Sequence, residues 1–179
     1  MFNTRRISLD AMLAAMCAVL GGVALDFGRL KITFESLPVL VGALLFGPVD
    51  GLLVGGVGTF LYQFLRYGFS ATTALWILPY LACGVLAGWY ARRRHFSLTG
   101  GQMGRVLLAC QLLITALNTL ALYVDSRLFG YYTPGFILGP LPLRLLLAAA
   151  QAAAFTTVMP ALLRAARRTL RLPAAGGAL

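Results

Sequence analysis

Residues 34–61 read FESLPVLVGALLFGPVDGLLVGGVGTFL, an apolar stretch with a single break at FGPVDG. Crossing the hydrocarbon core of a bilayer takes about 20 apolar residues, and this stretch is too long for one crossing. We interpret the break as a tight turn between two helices, a short one over 36–47 and a second over 48–67. Pro48 would then lie in the first turn of the second helix, where its missing N–H costs no hydrogen bond.

The composition of the whole chain agrees with a membrane protein. Hydrophobic residues make up 60% of the 179 residues and charged residues 11%, against roughly 25% charged in a typical soluble domain. The net charge of +10 does not indicate nucleic-acid binding, because the basic residues lie between apolar runs and form no single basic face. Cys17, Cys83 and Cys110 each lie in an apolar run, which predicts core packing. These features exclude a soluble enzyme, a disulfide-rich secreted module and a DNA-binding domain.

The remaining charge-free windows predict four more spans. Their approximate bounds are 7–27, 70–91, 105–126 and 142–165. The predicted fold is therefore all-α, a single polytopic membrane domain over 1–179 with six transmembrane helices and a disordered tail over 172–179.

The distribution of basic residues supports six spans with both termini in the cytoplasm. Cytoplasmic loops are rich in Lys and Arg. This arrangement places ten basic residues inside (Arg5, Arg6, Arg92, Arg93, Arg94, Arg105, Arg164, Arg167, Arg168, Arg171) and five outside (Arg29, Lys31, Arg66, Arg127, Arg144). If the short span over 36–47 did not cross, Arg92 to Arg94 would fall outside while Arg5 and Arg6 stayed inside.

Small residues mark the expected helix contacts, because close backbone approach is a main source of helix association in lipid. Gly51, Gly55 and Gly58 in the third span, with Gly84 and Gly88 in the fourth, predict internal packing. In the first span, Ala11 and Ala15 form a nearly smooth face. This face either packs against another span of the chain or docks a separate membrane protein.

The sequence offers no energy source and no catalytic set. It has one lysine, Lys31, and no GxxxxGK[ST] motif, so it cannot form a phosphate-binding loop for ATP. His95, its only histidine, follows three arginines in a predicted loop and is interpreted as a solvated residue. We expect no buried Asp or Glu within the spans, no metal or cofactor, and no enzymatic activity.

Polar residues concentrate in the outer half of the predicted bundle. A segment reading GRLKITFES between the first two spans alternates polar and apolar residues, which predicts an extended cap over the outer mouth. The candidate substrate-binding residues are Tyr62, Gln63, Arg66, Thr73, Trp76, Asn118, Arg144 and Gln151. Arg66 and Arg144 would suit a carboxylate, and Trp76 could stack on a planar ring. The alternatives are interface anchoring for the aromatic residues and helix–helix hydrogen bonding for the amides.

The stretch 34–61 also resembles the second and third spans of the S components of energy-coupling factor (ECF) vitamin transporters. The shared pattern is P-x-x-x-x-G-x-x-F-G-P-x-x-G, and it falls here on Pro38, Phe46, Gly47, Pro48 and Gly51, with Gly42 one position earlier than the pattern has its first glycine. The alanine face of the first span resembles the A-x-x-x-A dock of that family, and GPLPLR, ending at Arg144, resembles the entry to the last span in its folate-type members.

The resemblance implies a substrate-binding subunit in the plasma membrane. Its substrate would be a small, anionic vitamin, folate-like or pantothenate-like, bound on the outer side. Its partners would be the lipid bilayer, a transmembrane coupling subunit docked on Ala11 and Ala15, and two cytoplasmic ATPase subunits that drive its reorientation in the bilayer. The residues themselves leave two alternatives open: a self-sufficient carrier or channel, and a non-transport membrane scaffold.

Overall fold

The computed structural model describes residues 4–23, 25–26 and 31–170. Within these residues the chain forms α1 (Thr4–Gly22), β1 (Leu25–Asp26), β2 (Lys31–Ile32), α2 (Ser36–Phe46), α3 (Pro48–Tyr67), α4 (Thr73–Arg93), α5 (Gly100–Leu128), α6 (Pro134–Leu138) and α7 (Leu141–Leu170). The helical fold predicted from the sequence is confirmed. The helical segments Thr73–Arg93, Gly100–Leu128 and Pro134–Leu170 have the length and hydropathy of membrane-crossing helices. The count of six spans and the cytoplasmic position of both termini stay predictions.

The helices follow the predicted spans, with differences at their ends. Helix α5 begins at Gly100, before the predicted 105, because Thr99 and Gln102 form a capping box. Helix α6, which starts at Pro134, is an addition that the sequence did not indicate. The part of the predicted extended cap that is described forms an antiparallel ribbon, in which β2 pairs with β1. The predicted tail over 172–179 and residues 27–30 lie outside the described residues.

The turn between α2 and α3 depends on Gly47. This residue has φ 109°, in the region that favours glycine because a side chain would be strained there. Its N–H donates to the carbonyl of Ala43 at 3.0 Å and closes α2, while its own carbonyl accepts from the N–H of Gly51 at 3.1 Å and opens α3. Pro48 occupies the start of α3, as the sequence predicts.

Glycines bring the backbones of α3 and α4 into contact. A methyl group on Gly51 would lie 2.7 Å from the carbonyl oxygen of Gly84, and one on Gly55 would lie 2.8 Å from that of Tyr80. A methyl group on Gly58 would similarly lie 2.9 Å from the carbonyl oxygen of Ala14 in α1. These distances leave no space for a side chain, so the prediction of internal packing through glycine is confirmed.

The apolar core runs through α2, α4 and α5. Leu40 and Leu44 of α2 and Leu107 of α5 are almost completely buried there. Cys17, Cys83 and Cys110 are free and buried in this core, which confirms their expected packing role.

Buried carboxylates contradict the expectation that the spans contain none. Asp50 of α3 is 0% exposed and Asp10 of α1 is also buried, while Glu35, which is buried as well, lies just outside the predicted span over 36–47. Asp50 is stabilised in the first turn of α3, where the helix dipole favours negative charge, and by an ion pair with Arg6 of α1. Arg6 donates to both carboxylate oxygens of Asp50 and, at 2.9 Å, to the carbonyl of Phe46. The sequence did not reveal the pair because its members lie 44 positions apart.

Candidate functional site

A cavity of about 530 Å³ lies between the C-terminal end of α3, the start of α4, and α5 and α7. Pockets that bind small organic ligands have volumes of about 300–1,000 Å³. Its lining combines aromatic rings, hydroxyls and carboxamides, contributed by Thr33, Glu35, Ser36, Tyr62, Gln63, Tyr67, Ser70, Thr72, Trp76, Tyr80, Gln111, Ile114, Thr115, Asn118, Leu122, Asp125, Phe129, Arg144, Leu147, Ala148 and Gln151.

Helix α5 supplies one wall through a polar stripe. Gln111, Thr115, Asn118 and Asp125 all line the cavity, and their spacings of four, three and seven residues keep them on one helical face. The hydroxyl of Thr115 donates to the carbonyl of Gln111 at 2.9 Å, within the helix. The stripe therefore presents two carboxamides and a carboxylate to the interior of the cavity.

Two of the four lining carboxamides hold the wall together. Nε2 of Gln111 donates to the hydroxyl of Ser36 at 3.1 Å, and Nε2 of Gln151 donates to the carbonyl of Thr33 at 3.0 Å. The first bond holds the start of α2, and the second holds the segment that leads into it. The side-chain amides of Gln63 and Asn118, in contrast, make no hydrogen bond with a described residue, so both are available to a ligand.

Asp125 organises one end of the cavity. Its carboxylate accepts a hydrogen bond from Thr72 at 2.6 Å and another from the hydroxyl of Tyr131. Desolvation and this hydrogen bond raise the pKa of Tyr131 to about 12. Ser70 bonds Thr72 in turn, at 3.3 Å. This network connects the start of α4, the end of α5 and the segment that follows it.

The lining of the cavity includes charged groups of both signs. Arg144, which is half-buried, is the one cationic residue among the described lining residues, whereas Glu35 and Asp125 carry carboxylates. Glu35 packs against Gly21 of α1, because a methyl group placed on Gly21 would lie 2.5 Å from Oε2 of Glu35. Arg144 makes no hydrogen bond through its side chain with a described residue. Its guanidinium is therefore available to a ligand.

The structure brings together six of the eight predicted substrate-binding residues. These six line the cavity: Tyr62, Gln63, Trp76, Asn118, Arg144 and Gln151. Arg66 is exposed in the last turn of α3 and does not line it, since a guanidinium at a helix end stays hydrated. Thr73 is the first residue of α4, and its hydroxyl accepts from the N–H of Ser70 at 2.9 Å, so it fixes the α3–α4 connection.

Sequence reasoning missed several lining residues. Glu35, Tyr80, Gln111 and Thr115 were not among its candidates, although all four line the cavity. A signal was present in α5, where polar residues recur at helical spacing on both sides of Asn118 in an otherwise apolar helix. Extending the search along that face would have found Gln111 and Thr115.

Comparison with known families decides the class of this protein. The family model described as "ECF transporter, substrate-specific component" matches residues 5–166. The chain belongs to this family. The resemblance seen in the stretch 34–61 is thereby confirmed.

Individual relatives of this ECF substrate-specific component agree with the assignment. The chain is 30% identical over 131 residues to the riboflavin transporter RibU of Lactococcus lactis subsp. cremoris, in both strain NZ9000 and strain MG1363, an alignment covering 66% of this chain. The chain spans 62% of the length of these curated relatives.

Two solved structures share the fold. The crystal structure of FolT bound with folic acid matches with a TM-score of 0.65 and 20% identity, over 87% of this chain and 91% of FolT. The S component of a bacterial ECF transporter matches with a TM-score of 0.63 and 22% identity, over 93% and 97% of the two chains.

Proposed function

We propose that this ECF substrate-specific component binds a water-soluble vitamin in the cavity beside Trp76 and Arg144. Binding takes place on the outer side of the plasma membrane. The whole subunit, with six spans and both termini in the cytoplasm, then reorients to release the vitamin inside. The cavity is the observation that carries this proposal, because it combines a ligand-sized volume with polar groups that no described residue uses.

The lining favours an uncharged planar vitamin of the riboflavin class. Riboflavin has a fused ring system edged with carbonyl and N–H groups, and a polyol chain. Trp76 and the lining tyrosines suit the ring face, while the amides of Gln63 and Asn118 suit groups that both donate and accept. The relationship to RibU, named as a riboflavin transporter, supports the same choice.

Arg144 supports a second candidate, an anionic vitamin of the folate or pantothenate class. A half-buried guanidinium available to a ligand suits a carboxylate. The lining carboxylates of Glu35 and Asp125 oppose this candidate by like-charge repulsion, and they oppose folate more, because folate carries two carboxylates.

Titration of the purified protein with riboflavin, folate and pantothenate in separate calorimetric experiments distinguishes these candidates. We expect riboflavin to bind most tightly. Trp76→Leu should weaken riboflavin binding about 5- to 150-fold, the range expected for the loss of ring stacking worth about 1–3 kcal/mol. Trp89→Leu is the matched control, because Trp89 is exposed and does not line the cavity. Tighter binding of folate or pantothenate would select the second candidate, and no binding of any of the three would contradict both.

Transport is proposed to require a transmembrane coupling subunit and two cytoplasmic ATPase subunits. The sequence has no phosphate-binding loop for ATP, so the energy would come from these partners. Ala11 and Ala15 are exposed on α1 beside Met12 and Met16, whereas Ala14 and Cys17 pack inward. This exposed small-residue face is the proposed dock for the coupling subunit.

Co-purification from cells that express the coupling and ATPase subunits tests the dock. Ala11→Trp/Ala15→Trp should lose these subunits while still binding the vitamin. Ala109→Trp/Ala116→Trp, a control on exposed alanines of α5, should retain them. Normal assembly and uptake with the α1 double variant would contradict the proposed dock and leave the vitamin site standing.

A further inference from the structure

A second hollow lies on the outer surface of the bundle, between α4 and α5. It has a volume of about 550 Å³ and is lined by the apolar side chains of Leu78, Leu81, Ala82, Val85, Leu86, Trp89 and Leu113. Six of these residues follow one another along α4 at helical spacing, so the hollow is an elongated groove. Leu78, Val85 and Trp89 are 40–47% exposed. In a bilayer such a surface meets lipid acyl chains.

Trp89 marks a basic end of this groove. The guanidinium of Arg93 lies 3.9 Å from the centroid of the Trp89 ring. Arg92 is exposed beside it in the last turn of α4, and Arg105 is exposed in the second turn of α5. Only residues 94–99 connect α4 to α5, and the thiol of Cys110 donates to the carbonyl of Cys83 in the middle of α4. The two helices therefore run side by side in opposite directions, and the start of α5 lies beside the end of α4.

No carboxylate in the adjacent sequence neutralises these arginines. Residues 51–124, which include all of α4 and most of α5, contain no Asp or Glu. The side chains of Arg92 and Arg93 make no ion pair or hydrogen bond with any described residue, and the side chain of Arg105 donates only to the carbonyl of Gly101 within its own helix. The groove therefore combines an apolar channel with a positive charge that is available to an anion.

We propose that the α4–α5 groove is a binding site for an anionic phospholipid. One acyl chain lies along the leucines and Val85 of α4, and the phosphate is bound by Arg93, with Arg92 and Arg105 adding to the local positive charge. The position of Trp89 between the two parts fits the preference of tryptophan for the level of the headgroups. Basic surfaces between transmembrane helices recognise anionic lipid headgroups in this way.

Native mass spectrometry of the full chain in detergent micelles tests the headgroup contact. The probes are phosphatidylglycerol and phosphatidylcholine with identical acyl chains. We expect phosphatidylglycerol to bind more tightly and Arg93→Gln to weaken it about fivefold, the usual effect of one arginine on an anionic lipid surface. Arg94→Gln is the matched control, since it removes the same charge one residue later, where the guanidinium lies 5.9 Å from the ring of Tyr90, outside the groove.

A variant whose larger side chain fills the groove tests the acyl-chain contact. Val85→Trp should displace bound phosphatidylglycerol although every arginine is retained, whereas Val57→Trp, at an exposed position of α3, should leave it bound. If Arg93→Gln and Arg94→Gln lost equal affinity for phosphatidylglycerol, the preference would come from the general surface charge, and the proposal would be overturned. Equal retention of the two lipids, or retention of phosphatidylglycerol by Val85→Trp, would overturn it as well.

Discussion

The ion pair between Arg6 and Asp50 is expected to stabilise the fold without contributing to ligand binding. Asp50→Asn removes the buried charge but leaves one oxygen that can still accept from Arg6. Two hydrogen bonds to charged groups are nominally worth about 3–6 kcal/mol. Because the Arg6 side chain is 35% exposed and regains hydration, and because one acceptor survives, we expect a loss of about 2–3 kcal/mol.

Thermal unfolding in detergent micelles measures this loss. For a chain of this size, about 2–3 kcal/mol corresponds to a fall in Tm of about 4–12 °C. A double-mutant cycle with Arg6→Gln should give a coupling energy of at least about 1 kcal/mol, since each single variant removes the same interaction. Vitamin affinity should not change, because the cavity residue Tyr62 lies twelve positions after Asp50, about 18 Å along α3. A Tm within 2 °C of the parent, or additive single variants, would refute this reasoning.

Three further predictions concern the cavity and the helix contacts. Arg144→Met should weaken the binding of folate or pantothenate about 10- to 150-fold, the effect of losing about 1.5–3 kcal/mol, and should weaken the binding of riboflavin by a smaller factor. Equal losses of affinity in calorimetry would contradict an anion-binding role for Arg144. Asn118→Leu should weaken riboflavin about 2- to 13-fold through one lost neutral hydrogen bond, and unchanged affinity would place its amide outside the contact. Gly84→Ala should lower Tm, because any methyl there overlaps the backbone of Gly51, and an unchanged Tm would contradict that packing.

The turn between the second and third helices was predictable because its signals are local. Gly47 permits a positive φ and Pro48 fixes its own φ, whatever their distant neighbours are, and the structure ends α2 at Phe46 and begins α3 at Pro48. The glycines of α3 and α4 were equally informative. In lipid, few features other than close packing explain a repeat of small residues on a helix face.

The partners of polar residues were not predictable from one sequence. Arg6 and Asp50 were interpreted separately, because nothing in the sequence indicates that residues 44 positions apart meet. Asp125 was not among the candidate residues, whereas the structure bonds it to Thr72 and Tyr131 at the edge of the cavity. A carboxylate near a helix end fits a headgroup contact and a polar network equally well until the neighbouring helices are in place.

The two sides of the cavity differ in how firmly they are held. The α3 and α4 side is fixed by backbone contacts, since the approach of Gly51 to Gly84 and of Gly55 to Tyr80 leaves no room for either helix to move closer. The α5 and α7 side is held to the cap segment by single side-chain hydrogen bonds, from Gln111 and from Gln151. A net hydrogen bond is worth only about 1 kcal/mol, so a ligand that competes for these two amides alters the second side at a much lower cost than the first. Adjustment to a bound vitamin is therefore expected in α5, α7 and the cap, while the helix pair that carries Trp76 keeps its geometry.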